Sequence, residues 1–123
     1  MLHFLLDEHI SPEVANGLRR ADPTIHVTAM VEWENGEFLA QGDQTCLSKA
    51  AAQGLTLVSY DRRTIPPLLK ALAEAGLMHG GLVFVDEKTI SPARPASLIR
   101  ALILLKRQAS EWDWTGRICL LRR

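Results

Sequence analysis

The stretch Leu2-His3-Phe4-Leu5-Leu6-Asp7-Glu8-His9-Ile10-Ser11-Pro12 decides the fold. Leu2 to Leu6 is a short apolar run that ends at an acidic pair. Its length and boundaries predict a strand buried on both faces, as in a parallel sheet. Ser11-Pro12 then reads as a helix N-cap followed by proline at the first helical position. Val14, Ala15 and Leu18 give that helix an apolar face to about Ala21, where Asp22-Pro23 stops it.

The same grammar repeats downstream. Thr24 to Thr28 predicts a second strand, and Leu55 to Ser59 a third. Leu82 to Val85 predicts a fourth and Arg117 to Leu121 a last. Between them lie predicted helices over Gln44–Gln53, Thr64–Ala75 and a long one from Pro95. Gly54 and Gly76 stand where helix C-terminal glycines belong. Residues 29–42 show no period and carry Trp33, Glu32, Glu34 and Glu37, so they read as a long functional or mobile loop. Alternating strands and helices imply right-handed crossovers and a mostly parallel, Rossmann-like sheet of about five strands in a three-layer α/β/α sandwich.

Composition agrees. The 123 residues suit one domain, and 47% hydrophobic residues suffice for a core without disulfides or structural zinc. Fourteen basic and fourteen acidic residues give no net charge, which argues against general duplex binding but leaves room for a local basic rim. No apolar run reaches the roughly 20 residues of a membrane span. The amino terminus lacks the basic flank and small-residue cleavage site of a signal peptide. A cytoplasmic protein with two reduced cysteines, Cys46 and Cys119, is therefore expected. The four scattered histidines disfavour a zinc site.

Three predicted strands end in acid, at Asp7-Glu8, Asp61 and Asp86-Glu87, and Asp43 opens a helix. In a parallel sheet the carboxyl ends of all strands share one edge, where sites form. Asp7 and Asp61 approach one another there if their strands are neighbours. Gathered carboxylates need a cation, and oxygen-rich donors suit Mg²⁺ or Mn²⁺. Acids after strands also serve as turn formers and helix caps, and Asp43 reads equally well as an N-cap. Glu8 reads as a ligand or a solvated neighbour, and Asp86 as a loop residue. Arg62 and Arg63 are candidate phosphate contacts or solvated charges. His9 reads as a turn residue or a proton shuttle. Trp33 reads as a base-stacking or a packing side chain, and Trp112 and Trp114 as packing residues.

In order and spacing these motifs resemble the small PIN-like domains. Leu5-Leu6-Asp7-Glu8-His9-Ile10-Ser11-Pro12 resembles that family's opening motif, and Gly42-Asp43 its second acidic position. Leu57-Val58-Ser59-Tyr60-Asp61-Arg62 resembles its strand–x–Asp motif, and Gly81 to Val85 its following glycine-led strand. The resemblance covers essentially the whole chain, residues 1–123, as a single domain. Arg62-Arg63 departs from the usual continuation after the last acid. The resemblance implies Mg²⁺- or Mn²⁺-dependent ribonuclease activity, with Asp7, Asp43 and Asp61 as metal-binding catalytic acids and Glu8 beside them. It further implies single-stranded RNA as substrate, water attacking phosphorus in line, an antitoxin partner for many relatives, and a homodimer. Two other readings compete: a non-catalytic interaction module, and a receiver-like phosphoacceptor. The latter fits poorly, because Lys88 is followed by Thr89 rather than by proline.

Overall fold

The structure is a computed structural model; it describes residues 2–33, 43–63 and 65–122, and for residues 43–46 and 68 the main chain alone. The elements run β1 (His3–Leu6), α1 (Pro12–Ala21), β2 (His26–Ala29), α2 (Asp43–Ala52), β3 (Thr56–Ser59), α3 (Ile65–Glu74), β4 (Leu82–Val85), α4 (Pro95–Ala109) and β5 (Ile118–Leu121). All strand pairs are parallel, in a five-stranded sheet of order β2-β1-β3-β4-β5. The expected α/β fold with a Rossmann-like parallel sheet is therefore present. No described helix is long and apolar enough to cross a membrane.

Local chemistry sets the element ends. Ser11 Oγ accepts the Glu13 N–H at 3.2 Å, and Pro12 occupies the first turn of α1. Gly54 and Gly76 follow α2 and α3 with φ of 70° and 73°, the left-handed conformation that closes a helix with little cost for glycine. β2 begins at His26 rather than Thr24, because Asp22 and Thr24 close a turn on each other's polar groups.

Alternation along the strands divides the core in two. Phe4, Leu6, Val58, Val83 and Val85 pack with Val14, Leu18, Leu98 and Leu102 from α1 and α4. Leu5, Leu57, Leu82 and Phe84 pack with Leu47, Ala50, Ile65 and Leu72 from α2 and α3. Trp33 joins the second cluster at 4% exposure, its indole N–H donating to Gln53 Oε1 at 2.9 Å. It is thus a packing residue and presents no open stacking face. Trp112 was expected to pack, yet it is 44% exposed, resting on Trp114 with the Arg117 guanidinium 4.8 Å from its ring centre.

One expectation fails. The β1–α1–β2 step moves toward one edge of the sheet over the α1/α4 face, and the α2 and α3 steps move toward the other edge over the opposite face. Those three crossovers share one hand. The β4–α4–β5 step also moves toward the β5 edge, but α4 lies on the α1 face. Its hand is therefore opposite, against the strong general preference for one hand. The physical reason is coverage. Without α4, only α1 would shield Val58, Val83 and Val85, which are all fully buried. The segments 86–94 and 110–117 are long enough for the chain to change faces.

Gly81 has φ of 107°, and a Cβ there would lie 2.8 Å from the Trp114 carbonyl oxygen. Gly81→Ala is expected to cost about 2–4 kcal/mol in urea unfolding. Gly54→Ala meets nothing within 4 Å and is expected to cost only about 1–2 kcal/mol, from backbone conformation alone.

Asp22 accepts from the Thr24 hydroxyl and N–H and from Lys106 Nζ, and these bonds hold its carboxyl down at about 2, from an ordinary 3.8. A depressed carboxyl contributes stability above its unfolded value and loses it as pH falls through the folded one. The wild-type protein should therefore lose stability between pH 3.8 and about 2 that Asp22→Asn has already lost. Urea midpoints measured across that window should converge for the two proteins at the acid end.

Candidate functional site

The strand order reverses between β1 and β3, which lie side by side although β2 intervenes in sequence. Chains leaving the carboxyl ends of such neighbours diverge to opposite faces and open a crevice. Asp7 directly follows β1, and Asp61 lies two residues beyond β3. By the alternation of strand side chains both share the face of Leu5, Leu57 and Ser59, which α2 and α3 cover. A crossover helix starts at the carboxyl edge it has just left, so the first turn of α2, beginning at Asp43, belongs to that edge. The Asp43 side chain lies outside the described residues.

Ser59 joins the two acids. It is fully buried, and its hydroxyl donates to Asp7 Oδ2 at 2.6 Å while accepting the Asp61 N–H at 2.9 Å. The Asp7 N–H continues the ladder to the Val58 carbonyl at 3.0 Å. Asp7 is thus fixed through main chain and side chain at once. A buried hydroxyl bound to a carboxylate is a strong, charge-assisted contact. In the sequence Ser59 stands inside the Leu57–Arg62 motif, and its signal there is a hydroxyl two residues before an acid at a buried strand end.

The closest donor set differs from the expected one. The Ile10 N–H bonds to the Asp7 carbonyl at 2.9 Å, closing a tight turn over residues 7–10. That turn brings one ligand atom each of Asp7, Glu8 and His9 within 4.8 Å of one another. Glu8 and His9 are exposed and Asp7 half-buried. Asp61 stands outside this set. Its Oδ1 turns back to accept the Arg63 N–H at 3.0 Å, so the carboxylate closes its own turn. Asp7 and Glu8 are therefore brought together with His9, whereas Asp61 is tied to Asp7 through Ser59. Sequence adjacency alone does not say that the side chains of Asp7, Glu8 and His9 converge.

The surroundings sort the remaining candidates. Arg62 and Arg63 are exposed at the same edge. Asp86 accepts the Lys88 N–H at 3.1 Å and the Thr89 hydroxyl at 3.3 Å, and so serves its own turn. Tyr60 points to the opposite face. Its hydroxyl is shielded from solvent with no partner among the described residues, and burial together with Glu87 pushes its phenol up. Glu32, in the described part of the acidic loop, pairs with Arg19 and accepts the Ala29 N–H at 3.0 Å. Its charge is thereby paired at the outer side of β2, the edge strand next to β1.

The donor chemistry suits a hard divalent ion. Two carboxylates at this solvent-open turn could hold Mg²⁺ or Mn²⁺, and the imidazole beside them is the softer donor of the three. No protein-family model, curated protein or solved structure significantly matches this chain.

Proposed function

We propose that the chain is a Mg²⁺- or Mn²⁺-dependent ribonuclease of PIN-like type, cleaving single-stranded RNA. The observation that carries this reading is the Ser59 bridge, which joins Asp7 and Asp61 at the point where the strand order reverses. Asp7, Glu8 and His9 would hold the ion, with Asp61 and Asp43 as acids of the same edge. A bound divalent ion supplies charge neutralisation, activated water and stabilisation of charge developing at phosphorus. The chain's own part is orientation. Ser59 keeps Asp7 in one rotamer, and the 7–10 turn holds Glu8 and His9 beside it. Arg62 and Arg63 offer guanidinium donors to the phosphates on either side of the scissile bond. Neutral overall charge limits non-specific attraction, so affinity would come from this local rim.

The test is cleavage of a labelled single-stranded RNA with Mn²⁺, with Mg²⁺ and with EDTA, by the wild-type and Asp7→Asn proteins. Cleavage that needs the ion and Asp7 supports the proposal. Absence of cleavage by the wild type under every condition rejects it.

A second reading has one observation in its favour. The order β2-β1-β3-β4-β5 is also that of receiver-like phosphoacceptor domains. Asp61 after β3 would then take the phosphoryl group. Incubation with a small phosphodonor and mass spectrometry separates the two: a stable addition of one phosphoryl group on Asp61 favours the receiver reading.

A further inference from the structure

At the amino edge of the sheet, opposite the crevice, the chain encloses a second cavity of about 350 Å³. Thr56 opens β3 and Gly80 precedes β4, and the turn before β5 supplies Trp112, Asp113 and Trp114. The length of a four-residue strand, about 13 Å, separates the two edges. None of the candidate acids of the crevice lines this cavity. Its volume lies at the small end of ligand pockets, enough for one ring system rather than a peptide.

The walls are fixed before any ligand arrives. The Trp114 indole N–H donates to the Ala109 carbonyl at 2.9 Å, and the Trp112 N–H bonds to the same carbonyl at 3.1 Å. The Gly116 N–H bonds to the His79 carbonyl at 2.9 Å, which fastens the turn to the segment before β4. Asp113 Oδ1 accepts the Thr115 N–H at 3.0 Å, and Arg117 Nε donates to the Asp113 carbonyl at 3.0 Å. Trp112 is held by Trp114 and the Arg117 guanidinium, yet the core does not cover it. An exposed indole lining a preformed cavity is an aromatic platform on which a planar ring stacks. The exposed Met78 side chain adds a soft, adaptable wall.

The polar groups select the ring. His79 Nδ1 accepts the Gly81 N–H at 3.1 Å, so the neutral imidazole carries its proton on Nε2 and is a donor there. Burial pushes the His79 imidazole below its ordinary pKa, which favours that neutral form near neutral pH. Among the described residues no lysine or arginine lines the cavity, and the Asp113 carboxylate only accepts. A phosphate is therefore disfavoured, and a flat ring with neighbouring N–H groups is favoured. We propose that this cavity binds a guanine base, stacked on Trp112, with N1–H and N2–H donated to the Asp113 carboxylate and with O6 or N7 accepting from His79 Nε2–H. Guanine alone among the RNA bases sets two N–H donors side by side with an acceptor; adenine and cytosine offer one amino group, and uracil one imino N–H. Arg117, beside Trp112 but not in the lining, offers its guanidinium to the phosphate that the base carries. The base comes from a single-stranded RNA or from a free guanine nucleotide. The RNA source rests on the ribonuclease reading, in which a guanine held here sets the register of the strand at the crevice; the base pocket itself does not rest on it.

Binding is measured in EDTA, so that neither a metal at the crevice nor cleavage enters. The full chain is titrated with GMP, AMP, CMP and UMP, followed by tryptophan fluorescence and by calorimetry. GMP should bind at least about tenfold more tightly than the other nucleotides. Trp112→Ala should weaken GMP binding at least about fivefold through lost stacking. Asp113→Asn keeps an acceptor for the Thr115 N–H but turns a donor toward the base, and should bring GMP down to the affinity of AMP. Both side chains are exposed, so the far-ultraviolet spectra of the variants should match the wild type. A hexaribonucleotide of alternating guanine and uracil that binds more tightly than GMP, and loses that gain in both variants, identifies RNA as the source of the base. GMP binding with no such gain identifies a free nucleotide. No GMP binding up to about 5 mM, equal binding of all the nucleotides, or GMP binding unchanged in Trp112→Ala overturns the proposal. Absence of RNA cleavage with the guanine preference intact rejects the ribonuclease reading alone.

Discussion

Asp7→Asn is expected to reduce Mn²⁺-dependent RNA cleavage by at least about 10³-fold, which corresponds to about 4 kcal/mol of lost transition-state stabilisation. The carboxamide keeps the shape of the side chain and can still accept the Ser59 hydroxyl, so the fold should persist. What it removes is one unit of negative charge from the Asp7, Glu8 and His9 donor set. The comparison with Ser59→Ala makes the expectation specific. Loss of the 2.6 Å bond frees the Asp7 rotamer without removing the charge, and outer-shell partners of metal ligands typically contribute about 10–100-fold. Single-turnover rates with saturating Mn²⁺ should therefore rank wild type, then Ser59→Ala, then Asp7→Asn. Equal rates for wild type and Asp7→Asn would remove Asp7 from the chemistry. Because Ser59 is buried, its alanine variant should also lose about 1.5–3 kcal/mol of stability, read separately by urea unfolding.

The second large effect concerns the core. Phe4 is fully buried on β1, between β2 and β3, and packs in the cluster that α1 and α4 complete. Phe4→Ala is expected to cost about 3–5 kcal/mol, because the transfer term is joined by a cavity that close-packed neighbours cannot fill. Typical domains have only about 5–15 kcal/mol in total, so the urea midpoint should fall steeply. Leu104→Ala, at 55% exposure, should cost less than about 1 kcal/mol when monomers are compared. A small loss for Phe4→Ala would show that β1 is not an interior strand of the sheet.

How far the sequence carried the fold can be judged from particular residues. The Ser11-Pro12 start of α1, the glycines closing α2 and α3, and the apolar strands β1, β3 and β4 were all legible. Each rests on interactions within a few residues: a cap, a positive φ, a run of β-branched and leucine side chains. The acids were legible in the same way, as abrupt changes at strand ends. β2 was displaced by two residues because the Asp22–Thr24 turn competes with the ladder for the same main-chain groups. Trp33 was ambiguous because its partner, Gln53, lies on the far side of a long segment.

The sequence by itself thus determined the elements, their order and the acidic ends of the strands, because those follow from local sterics, capping and the period of burial. Only the tertiary structure decided which acids share a site. The order β2-β1-β3-β4-β5 makes Asp7 and Asp61 neighbours, Ser59 joins them across 52 residues, and the 7–10 turn adds His9. The same holds for α4. Its apolar face was plain, but the face of the sheet it covers depends on which strands remain bare once the other helices are placed. That choice leaves Ile118 and Leu120 without a cover. Contacts between distant parts of the chain carry no local signature, since each side chain's neighbours are set by how the whole chain shares out its buried surface.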